Sequence, residues 1–421
     1  MSSNTLKQNS LSQGDSKHYH FAFAAMTSLF FIWGFITALN DILIPHLKAA
    51  FDLSYTQAML VQFCFFGAYF IVSPFAGKLI EKIGYLRGIV TGLLTIAAGC
   101  MMFYPAAQLE VYTLFLLALF VLATGVTILQ VSANPYVAQL GAERTAASRL
   151  NLAQAINSLG HTLAPLFGAL LIFSAVDAAV VDAKSVQFPY LLLAGVMLAT
   201  ALAFKFLHLP TISTKVEQKD QVTTSSLFEH RSLILGAGAI FLYVGAEVSI
   251  GSFLVNYFGQ SDIAGLSERE ASKLVSYYWG AAMVGRFVGA YLTRIVSPSL
   301  VLAFNAVMVM VLLCTTMTSS GQVALWSVIA VGFFNSIMFP TIFTLAIRGL
   351  GPLTSRGSGL LCQAIVGGAI LPVIQGIVAD SSSIQLSFIV PLIAYVYICV
   401  YGFYSHKKHN KSAVNNLAEA S

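Results

Sequence analysis

Apolar runs of about 20 residues recur along the whole chain, and this repetition is the feature that most constrains the fold. Wound as a helix, a run of that length crosses the ~30 Å hydrocarbon core of a bilayer. Only 9% of the residues are charged and 57% are apolar, whereas soluble proteins carry about 25% charged residues. Such a surface is stable in lipid, where helices satisfy their own backbone hydrogen bonds. The sequence therefore predicts an all-α membrane protein.

The apolar runs are helical in length and lack the short alternating segments of a β-barrel. They predict twelve transmembrane helices in two pseudo-symmetric six-helix bundles. The predicted spans are residues 21–46, 56–80, 87–106, 111–139, 146–173, 187–207, 232–258, 269–293, 299–318, 322–347, 355–379 and 385–404.

The longest polar interruption, residues 209–231, divides these spans into six and six. It predicts a cytosolic linker between the two bundles, and we expect the protein to be a monomer. The remaining boundaries follow from the spans. They give a cytosolic tail (1–20), a first bundle (21–208), a second bundle (232–404) and a second cytosolic tail (405–421).

Lysine and arginine are distributed unevenly between the predicted loops. With both termini in the cytosol, 18 of the 22 basic residues are counted on the inner side. Arg286 is among them because Gly285 to Arg294 forms a weakened counterpart of the turn between spans 2 and 3. Only Lys48, Lys184, Arg269 and Lys273 fall outside. This asymmetry fits the positive-inside rule for an even number of spans. Topology thus accounts for the net charge of +5, and no nucleic-acid partner is expected.

A faint internal repeat relates the two halves. Arg149 precedes Pro165 by 16 residues, and Arg356 precedes Pro372 by the same distance. One span earlier in each half an amide lies five residues before a proline: Gln130 before Pro135, and Asn335 before Pro340. Related spans at corresponding positions are typical of transporters built from repeats.

Two carboxylates fall within spans, Asp41 in the first and Glu247 in the seventh. A charge in the bilayer is costly and usually marks an ion or substrate pathway. No lysine or arginine is predicted at the depth of either residue, so we expect a bound proton or cation to neutralise them. The alternatives are a capping role for Asp41 before Pro45 and an interhelical hydrogen bond for Glu247.

Amides occur in spans 1, 4 and 5 and in three spans of the second half, and on span 5 they recur at helical spacing on one face. Amides present paired donors and acceptors, which suit sugar hydroxyls; the alternative is hydrogen bonding between helices. The predicted substrate-binding residues are Asn40, Gln130, Asn134, Gln154, Asn157, Asn256, Trp279, Asn335 and Gln363.

The segments FFIWGFITALNDILIP, ILQVSANPYVAQLG, SRLNLAQAINSLG and GAEVSIGSFLVNYF resemble spans 1, 4, 5 and 7 of the fucose–galactose–glucose:cation symporter family. The turn from Gly77 to Arg87 resembles the 2–3 loop of the wider major facilitator superfamily. The resemblance implies cation-coupled sugar uptake by alternating access across a bacterial inner membrane. It also implies that Asp41 is the coupling carboxylate, with Asn40 and Gln154 in the cavity.

One block departs from the fucose-transporting members, which carry a glutamate in ETAANP where this chain has Gln130 in QVSANP. This favours the glucose/galactose branch; a proton-coupled fucose or N-acetylglucosamine permease is the alternative. The coupling ion is sodium or a proton, with sodium favoured by the branch. A sodium site would take oxygens from Asn40, Asp41, Gln130 and Glu247, and no other cofactor is expected.

Other functional classes find less support in the sequence. The spans contain no HExxH or GxSxG motif, so an enzyme is not expected. A multispan sensor needs a signalling domain, for which both tails are too short. A drug exporter would favour a GPxxGG-like motif in span 5, where this chain reads GHTLAPLFG.

Overall fold

The regular secondary structure is helical throughout the part of the chain that can be described. The computed structural model describes residues 13–51, 55–168, 186–207, 209–212 and 226–419. Side chains are described within 19–38, 51, 63–164, 186–207, 209–212, 226–267 and 270–408.

The first half contains six helices: α1 (Gln13–Ala50), α2 (Tyr55–Ile83), α3 (Tyr85–Leu109), α4 (Tyr112–Gln139), α5 (Ala146–Gly168) and α6 (Gln187–Phe206). The second half opens with α7 (Arg231–Phe258), α8 (Glu268–Ile295) and α9 (Pro298–Thr318). Its last three spans are each built from two consecutive helices. These are α10 (Gly321–Asn335) with α11 (Met338–Ile347), α12 (Thr354–Gln363) with α13 (Gly367–Ser381), and α14 (Ile384–Ser387) with α15 (Ile389–Glu419).

The predicted all-α architecture of twelve spans is confirmed. Among the described residues, ten helical stretches are long and apolar enough to cross a membrane. The two remaining spans are α5 and α8, whose polar side chains lower their hydropathy. These two most polar spans come from different halves and pack against each other, so the polar residues are brought together in the middle of the bundle.

Helix ends differ from the predicted span ends where charged residues extend a helix beyond the membrane. The predicted 2–3 loop shrinks to Gly84, whose φ of 85° requires glycine, because α2 continues to Ile83. The predicted second tail is helical as far as Glu419. Hydropathy predicts where a helix enters and leaves the bilayer. It does not predict where the helix ends, because charged residues can continue a helix into water.

Span 10 is broken because of a proline. Pro340 has no N–H to donate to the carbonyl of Ser336, four residues earlier, so the helical ladder is interrupted there. The structure accordingly ends α10 at Asn335 and begins α11 at Met338. Pro135 frees the carbonyl of Val131 in the same way, but α4 continues through it.

Helices α1 and α5 touch backbone to backbone. A Cβ added to Gly34 would lie 2.1 Å from the Asn157 carbonyl oxygen, and one added to Gly160 would lie 2.3 Å from that of Phe31. Asn157 Nδ2 also donates to the Phe30 carbonyl at 2.8 Å. Only glycine permits this approach, and it fixes the two helices in one register.

The two halves meet along two helix pairs, α2 with α12 and α5 with α8. These pairs correspond under the internal repeat, since each joins the second span of one half to the fifth span of the other. In the α2–α12 pair, glycines bring the backbones together. A Cβ on Gly77 would lie 2.9 Å from the Ser355 carbonyl, and one on Gly359 would lie 2.7 Å from that of Ser73.

At one end of the bundle, where α2, α4, α8 and α11 end, the halves are also joined by ion pairs. We call this end the basic face. Arg356 Nε donates to Glu81 Oε2 at 2.6 Å, and Arg348 pairs with Glu143. In both pairs the carboxylate belongs to the first half and the arginine to the second. These contacts close the interior of the bundle at the basic face.

Candidate substrate and ion-coupling site

Arg286 lies at the centre of the candidate site. The sequence prediction counts it among the cytosolic basic residues, but α8 continues to Ile295, so Arg286 sits nine residues, or about 14 Å, inside the helix. Its Nη2 lies 3.9 Å from Glu247 Oε1, and the two side chains are only 16% and 15% exposed. The expectation that no arginine reaches the depth of Glu247 is therefore wrong.

The guanidinium of Arg286 joins three further parts of the molecule. Its Nη1 donates to Ser158 Oγ and to the Gln154 carbonyl (3.4 Å) on α5. Its Nε donates at 3.2 Å to the Ser336 carbonyl, which is the group that Pro340 leaves without a helical partner. A buried charge is tolerated when it is paired and hydrogen-bonded, and these contacts meet that condition. We call Arg286, Glu247, Gln154 and Ser158 the Arg286 cluster.

A capping motif in the sequence indicates that Arg286 lies inside the helix. Ser267 and Glu270 form a capping box that fixes the start of α8. A helix that begins there needs about 20 residues to cross the membrane. Arg286 follows too soon to lie beyond the far interface.

Side chains of α5 change from buried to accessible along the helix. Asn151, near the basic face, is fully buried and donates to Ala147 O (2.9 Å) and Thr341 Oγ1 (3.4 Å). Gln154 is 7% exposed. His161 is exposed although its Nε2 lies 3.2 Å from Thr37 Oγ1 on α1. The side chains of α5 are therefore accessible toward the end opposite the basic face, where His161, Thr162 and Leu163 are all exposed.

Two amides on α4 are buried without hydrogen-bond partners. Asn134 is fully buried, and neither atom of its carboxamide has a partner in the described part of the chain. The same holds for Gln130 Oε1. Leaving a buried polar group unsatisfied costs about 1–3 kcal/mol. These groups are therefore available to water or to the polar groups of a ligand.

Asn335, which corresponds to Gln130 under the repeat, is in the opposite situation. Its Nδ2 donates to Tyr278 Oη at 3.1 Å, and its Oδ1 accepts from Tyr395 Oη at 2.6 Å. The amide is buried and both of its polar atoms are bonded within the second half. This is the interhelical arrangement that the sequence left open as the alternative.

Three further predicted residues lie apart from the Arg286 cluster. Asn256 is exposed in the last turn of α7, and Gln363 Nε2 donates to the Phe70 carbonyl of the first half at 3.2 Å. Trp279 is 44% exposed and its ring packs beside Gly251. None of the three bonds to the cluster among the described residues.

The side chains of Asn40 and Asp41 lie outside the described residues, although α1 includes both positions. Of the predicted sodium ligands, the structure therefore describes Gln130 and Glu247. The Glu247 carboxylate is paired with Arg286, which reduces its attraction for a further cation.

Comparison with known proteins agrees with this architecture. Residues 21–364 match the Major Facilitator Superfamily. The chain is 57% identical over 393 residues to a glucose/galactose transporter of Brucella abortus biovar 1 (strain 9-941), covering 93% of this chain and 95% of the relative. It is 34% identical over 411 residues to the L-fucose-proton symporter of Escherichia coli (strain K12), covering 92% of this chain and 94% of that relative.

A solved structure shows the same arrangement of helices. The crystal structure of FucP, a Major Facilitator Superfamily transporter in the outward conformation, superposes with a TM-score of 0.86. The two sequences are 33% identical, with coverage of 92% of this chain and 99% of FucP. The chain therefore belongs to the Major Facilitator Superfamily, and it is a sugar-permease-type transporter of that superfamily and not an enzyme.

Proposed function

We propose that the protein takes up a hexose of the glucose/galactose type together with a monovalent cation. The observation that carries this proposal is the set of buried amide atoms without a protein partner on α4 (Gln130 and Asn134) and α5 (Asn151), in a bundle where α5 also bonds to Arg286. Amides in such a set suit the many hydroxyls of a sugar. The 57% identity to a protein named a glucose/galactose transporter supports the same substrate class.

The basic face is cytosolic in this proposal, as is each terminus, and the membrane is a bacterial inner membrane. Removing Arg286 from the inside count leaves 17 of the 22 basic residues on that side, which still fits the positive-inside rule. In this orientation the closed basic face and the accessible His161 correspond to an outward-facing state. The structurally similar FucP was likewise crystallised in the outward conformation.

In this proposal the sugar is bound mainly by residues of the first half. Gln154, Gln130 and Asn134 have amide groups that a ligand could satisfy, whereas Asn335 and Asn157 donate to protein groups. We assign Gln154 and Asn134 to the sugar and Gln130 to the cation. Asn335 and Asn157 hold helices in position.

In this proposal Asp41 is the carboxylate that binds the coupling cation, because Arg286 already neutralises Glu247. We infer sodium as the coupling ion, with oxygens from Asp41, Asn40 and Gln130. Since Gln130 cannot titrate, it offers a ligand for a metal ion but no site for a proton. The second candidate is proton-coupled transport of L-fucose, which the 34% identical L-fucose-proton symporter favours.

Uptake into proteoliposomes tests both the sugar and the ion. A panel of glucose, galactose, L-fucose and N-acetylglucosamine is presented with a sodium gradient or a proton gradient, each imposed alone. We expect uphill uptake of glucose or galactose with sodium, and sugar and sodium should tighten each other's binding by the same factor. Uptake that ignores sodium and follows the proton gradient would assign the ion to the second candidate.

Asp41→Asn should abolish uphill uptake while sparing part of sugar exchange, because exchange needs no net movement of the cation. The matched control is Asp380→Asn, which changes an exposed aspartate of α13. Uphill uptake by Asp41→Asn at the rate of the control would remove Asp41 from the coupling step.

A further inference from the structure

A second cavity, of about 650 Å³, lies at the basic face between the two halves. It is lined by the ends of α4, α8 and α11, by the turns that follow them, and by Ile212. This volume falls within the range of about 300–1,000 Å³ that is typical of small-molecule sites. It is distinct from the sugar site proposed above, because no residue of the Arg286 cluster lines it.

Arginines give the cavity its charge. Among the lining residues that the structure describes, Arg144 comes from the first half, Arg294 and Arg348 come from the second, and Glu143 is the one carboxylate. Three positive charges and one negative charge leave a net charge of +2. Arg348 is paired with Glu143, whereas no ion pair or hydrogen bond engages Arg144 or Arg294 within the described chain.

Backbone groups add few donors to this lining. Helices α9 and α12 begin at the cavity, but Pro298 has no N–H, Leu300 N and Val301 N donate to the Ser297 carbonyl, and Thr354 N donates to that of Gly351. The carboxyl ends of α4, α8 and α11 line the cavity as well, and their dipoles offset those of the helix starts. The arginines therefore decide the sign of the potential.

We propose that this cavity binds the dianion of a phosphomonoester from the cytosolic side. Arginine presents a planar fork of donors that matches phosphate oxygens, and a phosphomonoester carries a charge of about −1.5 to −2 at neutral pH. That charge balances the net charge of the lining. The phosphodiester headgroup of an anionic lipid carries a single negative charge and leaves half of the lining charge unbalanced.

Binding would favour the closed basic face. The lining comes from both halves, so opening of this face separates Arg144 from Arg294 and Arg348 and dismantles the site. A ligand that binds one of two conformations shifts the population toward that conformation. A cytosolic phosphomonoester, such as the product of a sugar-phosphorylating reaction, would therefore slow uptake. This consequence rests on the proposed function, whereas the binding itself does not.

Glucose 6-phosphate is the probe for the binding step. Isothermal titration with the delipidated full-length protein in detergent should detect binding that glucose does not compete away. Arg144→Gln with Arg294→Gln should weaken that binding at least tenfold. Arg87→Gln, which changes an exposed arginine at the start of α3 outside the lining, should leave it unchanged. Arg294→Gln alone serves if the double variant does not fold.

No binding of glucose 6-phosphate, equal binding by the double variant, or displacement by phosphatidylglycerol at equal concentration would each overturn the proposal. A second assay traps glucose 6-phosphate inside proteoliposomes, where it should lower hexose uptake in the wild type and in Arg87→Gln but not in the double variant. Hexose uptake without phosphomonoester binding removes this inference alone. Phosphomonoester binding without hexose uptake removes the proposed transport function alone.

Discussion

The pairs α2–α12 and α5–α8 occupy equivalent places in the two halves, yet they are held together differently. In α2–α12 the backbones meet at Gly77 and Gly359, and the charges lie at the rim, in the pair between Glu81 and Arg356. In α5–α8 the charge lies well inside the helix pair, where Arg286 of α8 donates to α5. One interface is close-packed through glycines and has its charges at the rim, whereas the other is polar along its length and contains a buried charge.

This difference shows that the internal repeat determines which helices pair across the two halves. It does not determine which side chains hold each pair together. A close-packed glycine interface can separate and re-form without exposing a buried charge. The polar interface cannot, because Arg286 needs partners wherever it moves. We infer that the α5–α8 side contains the site and that the α2–α12 side acts as a closure. The following predictions test this division, from the largest expected effect to the smallest.

Removal of one partner of the buried pair should have the largest effect. Arg286→Gln leaves the Glu247 carboxylate without its cation, and breaking a buried pair typically costs about 3–5 kcal/mol. We expect a large drop in the thermal unfolding midpoint in detergent and loss of uptake. The double variant Arg286→Gln with Glu247→Gln should recover much of the stability. A double variant as unstable as the single one would mean that the pair is not the main contribution of Arg286.

Crowding the glycine contact should have the next largest effect. Gly77→Ala places a Cβ 2.9 Å from the Ser355 carbonyl, and overpacking costs about 1–3 kcal/mol. This cost falls on the closed state only, so distances between spin labels on α3 and α12 should lengthen at the basic face. Gly195→Ala is the matched control, because its Cβ would meet no atom within 4 Å. Equal distances in the two variants would contradict a closing role for Gly77.

Gln154→Ala tests whether the sugar binds on the α5–α8 side. Loss of a hydrogen bond to a buried ligand costs about 1–3 kcal/mol, or roughly 5- to 150-fold in affinity. Sugar binding should weaken by that amount while protein abundance and unfolding midpoint change little. Asn335→Ala should show the reverse pattern, because its amide bonds to Tyr278 and Tyr395. Wild-type sugar affinity in folded Gln154→Ala would place this residue in helix packing.

The exposed ion pair of the α2–α12 side should matter least. Glu81 and Arg356 are 30% and 44% exposed, and exposed pairs contribute about 0–1 kcal/mol. Glu81→Gln should change uptake only a few-fold, and the change should shrink at high salt because exposed charges are screened. An effect as large as that of Arg286→Gln, or one independent of salt, would show that the two sides are not divided as proposed.

The fold was predictable because hydropathy reports directly which residues cross the bilayer. The polar face of α5 was also predictable, since its residues are periodic. Helix ends were less so: α2 continues past Gly77 to Ile83 because charge alone does not end a helix. The break at Ser336 follows from Pro340, but Pro135 permits a continuous α4. A proline alone therefore does not determine where a helix breaks.

The roles of the amides could not be read from the sequence. Asn335 and Asn134 are both buried asparagines near a proline, yet only Asn335 has partners for both polar atoms. Its two tyrosines lie 57 and 60 residues away along the chain. Arg286 was misplaced because the residues after Gly285 resembled a weakened copy of the 2–3 loop. The depth of that arginine depends on where α8 begins.

The backbone contact between α1 and α5 limits how cation and sugar can influence each other. Gly34 and Gly160 leave no room for sliding or rolling between the two helices. The proposed cation residue Asp41 and the proposed sugar residue Gln154 therefore belong to one rigid pair of helices. Neither ligand can signal to the other by shifting one of these helices along its neighbour. Both ligands contact the same helix pair, which moves as one body. Binding of one ligand would therefore affect the affinity for the other only by changing the tilt of one half relative to the other.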